Sequence, residues 1–98
     1  MITRIVRMEF REDSIVQFDA LFSQYQDQIR HFPGCVALQL HEDPDTALVR
    51  YTHSKWQSTT DLEAYKNSDL FRVVWPQTKL LFGGKPAAYS LLMIKDVP

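Results

Sequence analysis

The sequence contains one cysteine, three glycines and no long apolar run, and each shortage excludes a class of protein. A single thiol, Cys35, can form neither an internal disulfide nor a cysteine-rich metal cluster, and it fits a reducing compartment. No segment approaches the ~18 consecutive apolar residues that span a bilayer. Arg4 and Arg7 interrupt the apolar N-terminus, which is therefore unlike a signal peptide. We expect a cytoplasmic protein with no membrane partner.

The balance of charge and the scarcity of glycine and histidine exclude further functions. Lys and Arg total 11 and Asp and Glu total 12, so the net charge is −1 and no nucleic-acid partner is expected. Gly83 and Gly84 lack the lysine and hydroxyl residue of a phosphate-binding loop. His31, His41 and His53 have no metal-ligand spacing, so we expect no metal site.

What is present is the composition of an ordinary globular domain. The chain has 98 residues, of which 45% are hydrophobic and 23% are charged. This length allows one domain, and this composition is typical of a soluble protein with one hydrophobic core. We therefore expect residues 1–98 to form a single domain.

Hydrophobic periodicity divides the chain into strands and helices. Alternation of apolar and polar residues predicts strands, and apolar steps of three and four residues predict helices. In chain order we predict a strand over Ile2–Phe10, a helix over Ile15–Ile29, strands over Cys35–Glu42 and Ala47–Ser54, a second helical region, and a strand over Ala87–Ile94. The Asn67-Ser68-Asp69 run should break the second helical region, and Pro76 should bend or end its second piece.

Two sequence matches to the capping box predict where the helices begin. Ser14 with Gln17, and Thr60 with Glu63, have the spacing at which two side chains satisfy the free N–H groups of a helix start. Ser58 is an alternative cap for the second helical region.

The two central strands should form an antiparallel hairpin around Asp43-Pro44-Asp45-Thr46. If Glu42 lies opposite Ala47, then Tyr51 and His53 share a face with the leucines of the preceding strand and point toward the helices. A one-residue slip would exchange the two faces.

The order β-α-β-β-α-β predicts an α+β protein with ferredoxin-like topology, in which two helices cover one face of a four-stranded antiparallel sheet. The first and last strands are apolar on both faces, so the second face of the sheet also needs a cover. We expect a second copy of the chain to supply it, which makes the protein a homodimer.

The second half of the chain resembles a known family. The residues that carry the resemblance are Trp56-Gln57-Ser58, Leu62-Glu63-Ala64-Tyr65, Ser68-Asp69-Leu70-Phe71 and the earlier turn Phe32-Pro33-Gly34-Cys35. They are similar to the antibiotic-biosynthesis-monooxygenase family of dimeric α+β barrels. The resemblance implies a cofactor-independent monooxygenase acting on a quinol- or anthrone-like substrate, whose anion gives an electron to dioxygen.

The haem-degrading branch of the same superfamily uses an Asn on the first strand, a Trp in the second helical region and a His ligand after it. At the corresponding positions this chain has Val6, Tyr65 and Trp75. An indole does not coordinate iron usefully, so we expect neither haem nor any other cofactor.

Aromatic residues of the third strand, the second helical region and the connector should meet at one end of the space between the helices and the sheet. The candidate substrate-binding residues are Tyr51, Trp56, Tyr65, Phe71, Trp75 and Phe82. His53 is the candidate catalytic base, since an imidazole can take a phenolic proton at neutral pH. This hypothesis predicts a closed pocket of at least ~300 Å³ with His53 facing in.

Two alternatives remain open at this point. The same aromatic residues at helical spacing can simply fill a core, and the protein is then a non-catalytic dimeric module that binds a small ligand or a partner. Arg4 and Arg50 project from strands, where each could hold a carboxylate or phenolate; we expect them to serve the interface between two copies instead.

Overall fold

The computed structural model describes residues 1–98 as four strands and three helices. The elements are β1 (Ile2–Glu9), α1 (Ile15–Arg30), β2 (Cys35–Glu42), β3 (Val49–Trp56), α2 (Thr59–Lys66), α3 (Asp69–Lys79) and β4 (Ala87–Leu92). All strand pairs are antiparallel, and the order across the sheet is β2-β3-β1-β4. The predicted ferredoxin-like α+β fold is confirmed. No helix has the length and apolar character needed to cross a lipid bilayer.

The helix starts differ from the two predicted capping boxes. The Ser14 hydroxyl makes no cap hydrogen bond to α1; it donates to the Leu81 carbonyl at 2.6 Å, in the connector before β4. Ser58, not Thr60, caps α2, because its Oγ accepts the Asp61 N–H at 3.1 Å. Ser14 therefore joins two distant segments where the sequence pattern indicated only a local role.

The helical region does break at the predicted place. α2 ends at Lys66, and Ser68 caps α3 by accepting the Phe71 N–H at 3.1 Å. Pro76 does not end α3, which continues to Lys79. Because of this break, α3 is a separate helix, and its apolar face points toward the sheet.

The register between β2 and β3 corrects the predicted hairpin. Glu42 lies opposite Arg50, not opposite Ala47. Ala47 and Leu48 belong to the connection, where the Ala47 carbonyl accepts a hydrogen bond from Arg50 Nη1 at 2.8 Å. The shift is by an odd number of residues, so it exchanges the faces of β3.

As a result, β3 presents Arg50, Thr52, Ser54 and Trp56 to the helices, opposite the residues of β1 that point the same way. Two buried clusters fill the space between this face and the helices. One surrounds Trp56 and Leu62, and the other surrounds Phe10 and Phe18, whose rings stack with centroids 4.3 Å apart.

The other face of the sheet, termed the open face, carries no helix. Ile5 of β1 lies there between His53 of β3 and Tyr89 of β4. Tyr89 and Leu91 of β4 are 57% and 50% exposed, so the open face presents large apolar side chains to solvent.

Candidate functional site

A cavity of about 80 Å³ lies between the sheet and the helices, partly open to solvent. Side chains from β1, β2, β3 and all three helices line it, and 11 of its 15 lining residues are hydrophobic. The polar lining residues are Arg4, Thr52, Ser54 and Thr78. An apolar chamber with a few convergent polar groups is the usual form of a small-molecule site.

One side of the cavity is a continuous series of aromatic rings. Trp56 at the end of β3 stacks on Tyr65 of α2, with centroids 4.9 Å apart. Tyr65 meets Phe71 edge to face at 5.3 Å, and Phe71 stacks on Trp75 at 5.8 Å. Phe82 does not line the cavity; it packs against the outer side of this series, 5.7 Å from Trp75. Four of the expected substrate-binding residues therefore do line one cavity.

Arg4 supplies the only positive charge in the cavity lining. It projects from β1 on the helix side, opposite Ser54 of β3, and its side chain makes no hydrogen bond or ion pair within the protein. Burial lowers the pKa of the Arg4 guanidinium, and the Tyr65 and Glu63 charges act in the opposite direction. A guanidinium nevertheless stays charged at neutral pH.

Tyr65 is the other ionisable group of the cavity. Its side chain is almost completely buried, and burial raises the pKa of Tyr65 to about 12 although nearby Arg4 acts to lower it. The phenol is therefore neutral at pH 7 and can donate a hydrogen bond. Ser54 is already engaged, since its Oγ accepts the Trp56 Nε1–H at 3.0 Å.

His53 and Tyr51 lie outside this cavity, and the expectation that they face the helices is wrong. The register places both side chains on the open face, His53 opposite Ile5 and Tyr51 opposite Arg7. Nδ1 of His53 is buried and has no hydrogen-bond partner. The Tyr51 hydroxyl donates to Asp43 Oδ2 at 3.1 Å.

The strand arginines also differ from expectation. Arg4 and Arg50 both project on the helix side, away from the open face that a second copy was expected to cover. Arg50 is held by Asp19 of α1, with Nε–Oδ1 and Nη2–Oδ2 distances of 3.2 and 3.1 Å. This two-point contact gives Arg50 a structural role in attaching α1 to the sheet.

Arg4 belongs to the site, although of its two possible roles the sequence analysis favoured the interface between two copies. A sequence signal favoured the site, because Arg4 interrupts the apolar stripe formed by Ile2, Val6 and Met8 on β1. A charge within a stripe that faces a core needs a partner or a ligand.

The cavity is also smaller than the ~300 Å³ typical of a drug-sized site. At about 80 Å³ it is comparable to a small apolar void, and an apolar cavity that accepts benzene has about 150 Å³. Tyr65, Phe71 and Trp75 thus occupy much of the space, as the non-catalytic alternative predicted.

The sequence profile of the family described as antibiotic biosynthesis monooxygenase matches residues 1–74. The chain belongs to this family. The matched region includes Arg4, Trp56, Tyr65 and Phe71, and it ends one residue before Trp75. No curated protein matches the sequence.

Solved structures agree with this membership at the level of fold. A crystal structure of an antibiotic biosynthesis monooxygenase has 15% identity and a TM-score of 0.90, over 97% of this chain and 100% of that one. A Mycobacterium tuberculosis protein has 20% identity and a TM-score of 0.89, over 99% and 98% of the two chains. A conserved Methanosarcina mazei protein has 13% identity and a TM-score of 0.86, over 93% and 91%. At these identities the likeness concerns the fold alone.

The three positions at which this chain differs from the haem-degrading branch all lie at the cavity. They are Val6, Tyr65 and Trp75. Val6 has no donor atom, the Trp75 indole does not coordinate iron usefully, and burial keeps the Tyr65 phenol in its protonated form. No cluster of three His, Cys, Asp or Glu side chains is arranged to hold a metal ion. The residues present do not fit haem.

Proposed function

We propose that this protein is a cofactor-independent monooxygenase acting on a small aromatic quinol, which binds in the cavity beside Trp56, Tyr65, Phe71 and Trp75. Family membership supports the reaction class. The observation that carries the substrate class is the series of aromatic rings along one wall, since flat rings stack favourably on aromatic side chains.

The proposed reaction balances without a further reductant. One ring carbon of the quinol exchanges its C–H for C–OH, using one atom of O₂. The two hydroxyl hydrogens of the quinol leave with the second oxygen atom as water, and the quinol becomes a hydroxyquinone. The substrate supplies all four electrons, so the protein needs to bind, desolvate and orient it.

The proposal requires the cavity to widen when substrate binds. Phe71 and Trp75 belong to α3, in which only Thr78 is fully buried. Their side chains are half-buried, so they can change rotamer with less loss of packing than Trp56, which is completely buried.

We also propose that two copies pack through their open faces. Tyr89 and Leu91 then leave solvent, and His53 and Tyr51 lie at the interface rather than beside the substrate. A second copy is the simplest cover for an apolar sheet face that the chain's own helices do not reach. The catalytic role expected for His53 consequently has no geometric support in one chain.

The test is oxygen consumption with single-ring hydroquinones, followed by mass spectrometry of the product formed under ¹⁸O₂. We expect one ¹⁸O atom in a hydroxyquinone and one O₂ consumed per quinol. A Val16→Ala protein, changed at an exposed site on α1, should match the wild type. Quinone with hydrogen peroxide, or no product above the uncatalysed rate, contradicts the proposal.

A second candidate is a non-catalytic module that binds a small aromatic molecule. It is favoured by the volume of about 80 Å³ and by the absence of Asp, Glu or His from the cavity lining. Ring binding without any oxygen consumption is the result that selects it. In either case we expect the protein to act in the cytoplasm, where its lone thiol would stay reduced.

A further inference from the structure

Arg4 differs from the other arginines of the helix side in having no partner. Arg50, which projects from β3 on the same side, bonds to Asp19, to Glu42 at 3.1 Å and to the Ala47 carbonyl at 2.8 Å. Arg4 makes no comparable contact, although it lies among apolar side chains on the central strand β1. A guanidinium presents five N–H donors, and in the free protein only water at the open side of the cavity meets those of the half-buried Arg4.

The cavity itself contains nothing that could neutralise Arg4. None of its lining residues is an Asp or a Glu. Glu63 of α2 is the one acidic residue that influences Arg4, and its carboxylate is already paired with Lys66 at 3.1 Å. The positive charge is therefore available to a ligand.

Tyr65 gives the same site a neutral donor. Its hydroxyl makes no hydrogen bond within the protein, and the phenol remains protonated at neutral pH because of its burial. A guanidinium and a phenol O–H that border one cavity both require an acceptor, and an oxyanion is the acceptor that both bind most strongly.

We infer that the cavity takes an aromatic anion, whose carboxylate or phenolate oxygen binds Arg4 while its ring lies against Tyr65, Phe71 and Trp75. This inference rests on the proposed function and deepens it, because it names the charge of the molecule that the same cavity takes. Arg4 is then the specificity-determining residue. Its charge also favours ionisation of a bound phenol to the substrate anion. Because no Asp, Glu or His lines the cavity, the phenol proton passes to water at its open side.

The test compares two single-ring probes of nearly equal shape, benzoate and benzamide, by isothermal titration calorimetry at neutral pH. We expect the wild type to bind benzoate more tightly by about tenfold to a hundredfold, the range expected for a hydrogen bond to a charged group. In R4Q this preference should fall to about onefold, because the neutral amide cannot attract the carboxylate. R4K should keep part of the preference, since it keeps the charge but loses the planar fork.

Arg7→Gln is the matched control. Arg7 is three residues further along β1, also lacks an ion pair, and points to the open face. Removing it changes the net charge of the protein by the same amount, so it should leave the benzoate preference unchanged. Circular dichroism and thermal unfolding of each variant establish that it is folded.

Three results overturn the inference: no benzoate binding by the wild type, equal binding of the two probes, or an R7Q protein that loses as much preference as R4Q. The proposed function fails separately. If benzoate binding depends on Arg4 but no quinol is oxygenated, the anion site is upheld and the monooxygenase is rejected. If wild type and R4Q oxygenate the quinol at equal rates, the monooxygenase is upheld and the anion site is rejected.

Discussion

The indole ring of Trp56 stacks on the phenol ring of Tyr65, with centroids 4.9 Å apart and planes inclined by 25°. Trp56 ends β3 and Tyr65 lies in the last turn of α2, so this contact joins the sheet to the helix that follows it. It also removes the Tyr65 side chain from water, and this burial is the main reason why the pKa of its hydroxyl is raised.

The first prediction concerns stability in alkali. The pKa of Tyr65 rises from 10.0 to about 12 on folding. The folded state therefore holds the phenol proton more tightly, and this contribution is fully present below pH 10 and is lost as the pH rises toward 12. The free energy of unfolding should fall across this window by at most about 3 kcal/mol.

Denaturant unfolding at several pH values, with absorbance titration of the tyrosinates, measures both effects. Y65F should remove the highest-pH component of the titration and flatten the fall in stability. R4Q should move that component to still higher pH, because the Arg4 charge acts to lower the pKa of Tyr65. A Y65F titration identical to that of the wild type contradicts the assignment.

The fold was predictable because local signals agreed with it. The predicted bounds of β1 and α1 lie close to the observed ones, and so does the predicted break at Asn67-Ser68-Asp69. The first two came from the alternation of apolar residues in β1 and the apolar stripe of α1. These features depend on neighbouring residues, and periodicity reports them directly.

The site was less predictable because it depends on the β2–β3 register. Whether His53 or Ser54 faces the helices is decided by a register shift of three residues, because Glu42 lies opposite Arg50 and not opposite Ala47. Ala47 and Leu48 belong to the connection rather than to the strand. The Asp43 side chain, which accepts the Asp45 N–H at 2.9 Å, stabilises that connection. Turn composition alone does not specify the length of such a loop.

The second prediction concerns Gly34, in the turn before β2. Its φ is +89°, and an added Cβ would clash with Cβ of Asp61 in α2. Its carbonyl also accepts the Gln57 N–H at 2.9 Å, so the turn cannot move away freely. We expect G34A to lower the free energy of unfolding by about 1–3 kcal/mol.

Urea unfolding of G34A measures this loss. Gly34→Ala combined with Asp61→Gly separates the two causes, because the double variant removes the Cβ that crowds the turn but keeps the unfavourable φ. A partial recovery relative to D61G alone is expected. A G34A protein as stable as the wild type would show that the turn adopts another conformation.

The third prediction tests the open-face dimer. Leu91 of β4 lies on the open face, opposite Thr3, whereas Leu92 points to the helix side, opposite Ile2. L91D should shift the protein from dimer to monomer in sedimentation velocity, because a carboxylate would be buried in an apolar interface. V16D, at a 76% exposed site on α1, should leave the assembly unchanged. A wild-type monomer, or a dimeric L91D, contradicts this arrangement.

The fourth prediction concerns Trp75, whose indole lies nearly parallel to the Phe71 ring, with 16° between the planes. Trp75 is half-buried on α3 and separates the cavity from Phe82. Removing the indole should enlarge a cavity of about 80 Å³ enough for two fused rings. We expect W75A to lose about 2 kcal/mol of stability, less than the cost of truncating a fully buried tryptophan.

W75A should also bind 2-naphthoate more tightly relative to benzoate than the wild type does, by calorimetry at neutral pH. W75F is the matched control, since a phenyl ring preserves the aromatic wall and most of its volume, and its preference should lie near that of the wild type. If W75A loses stability but its preference for the larger ring does not change, the indole packs only against its neighbours and the ligand site lies elsewhere. If the preference rises, Trp75 sets the size of ring that the cavity admits, while Arg4 sets its charge.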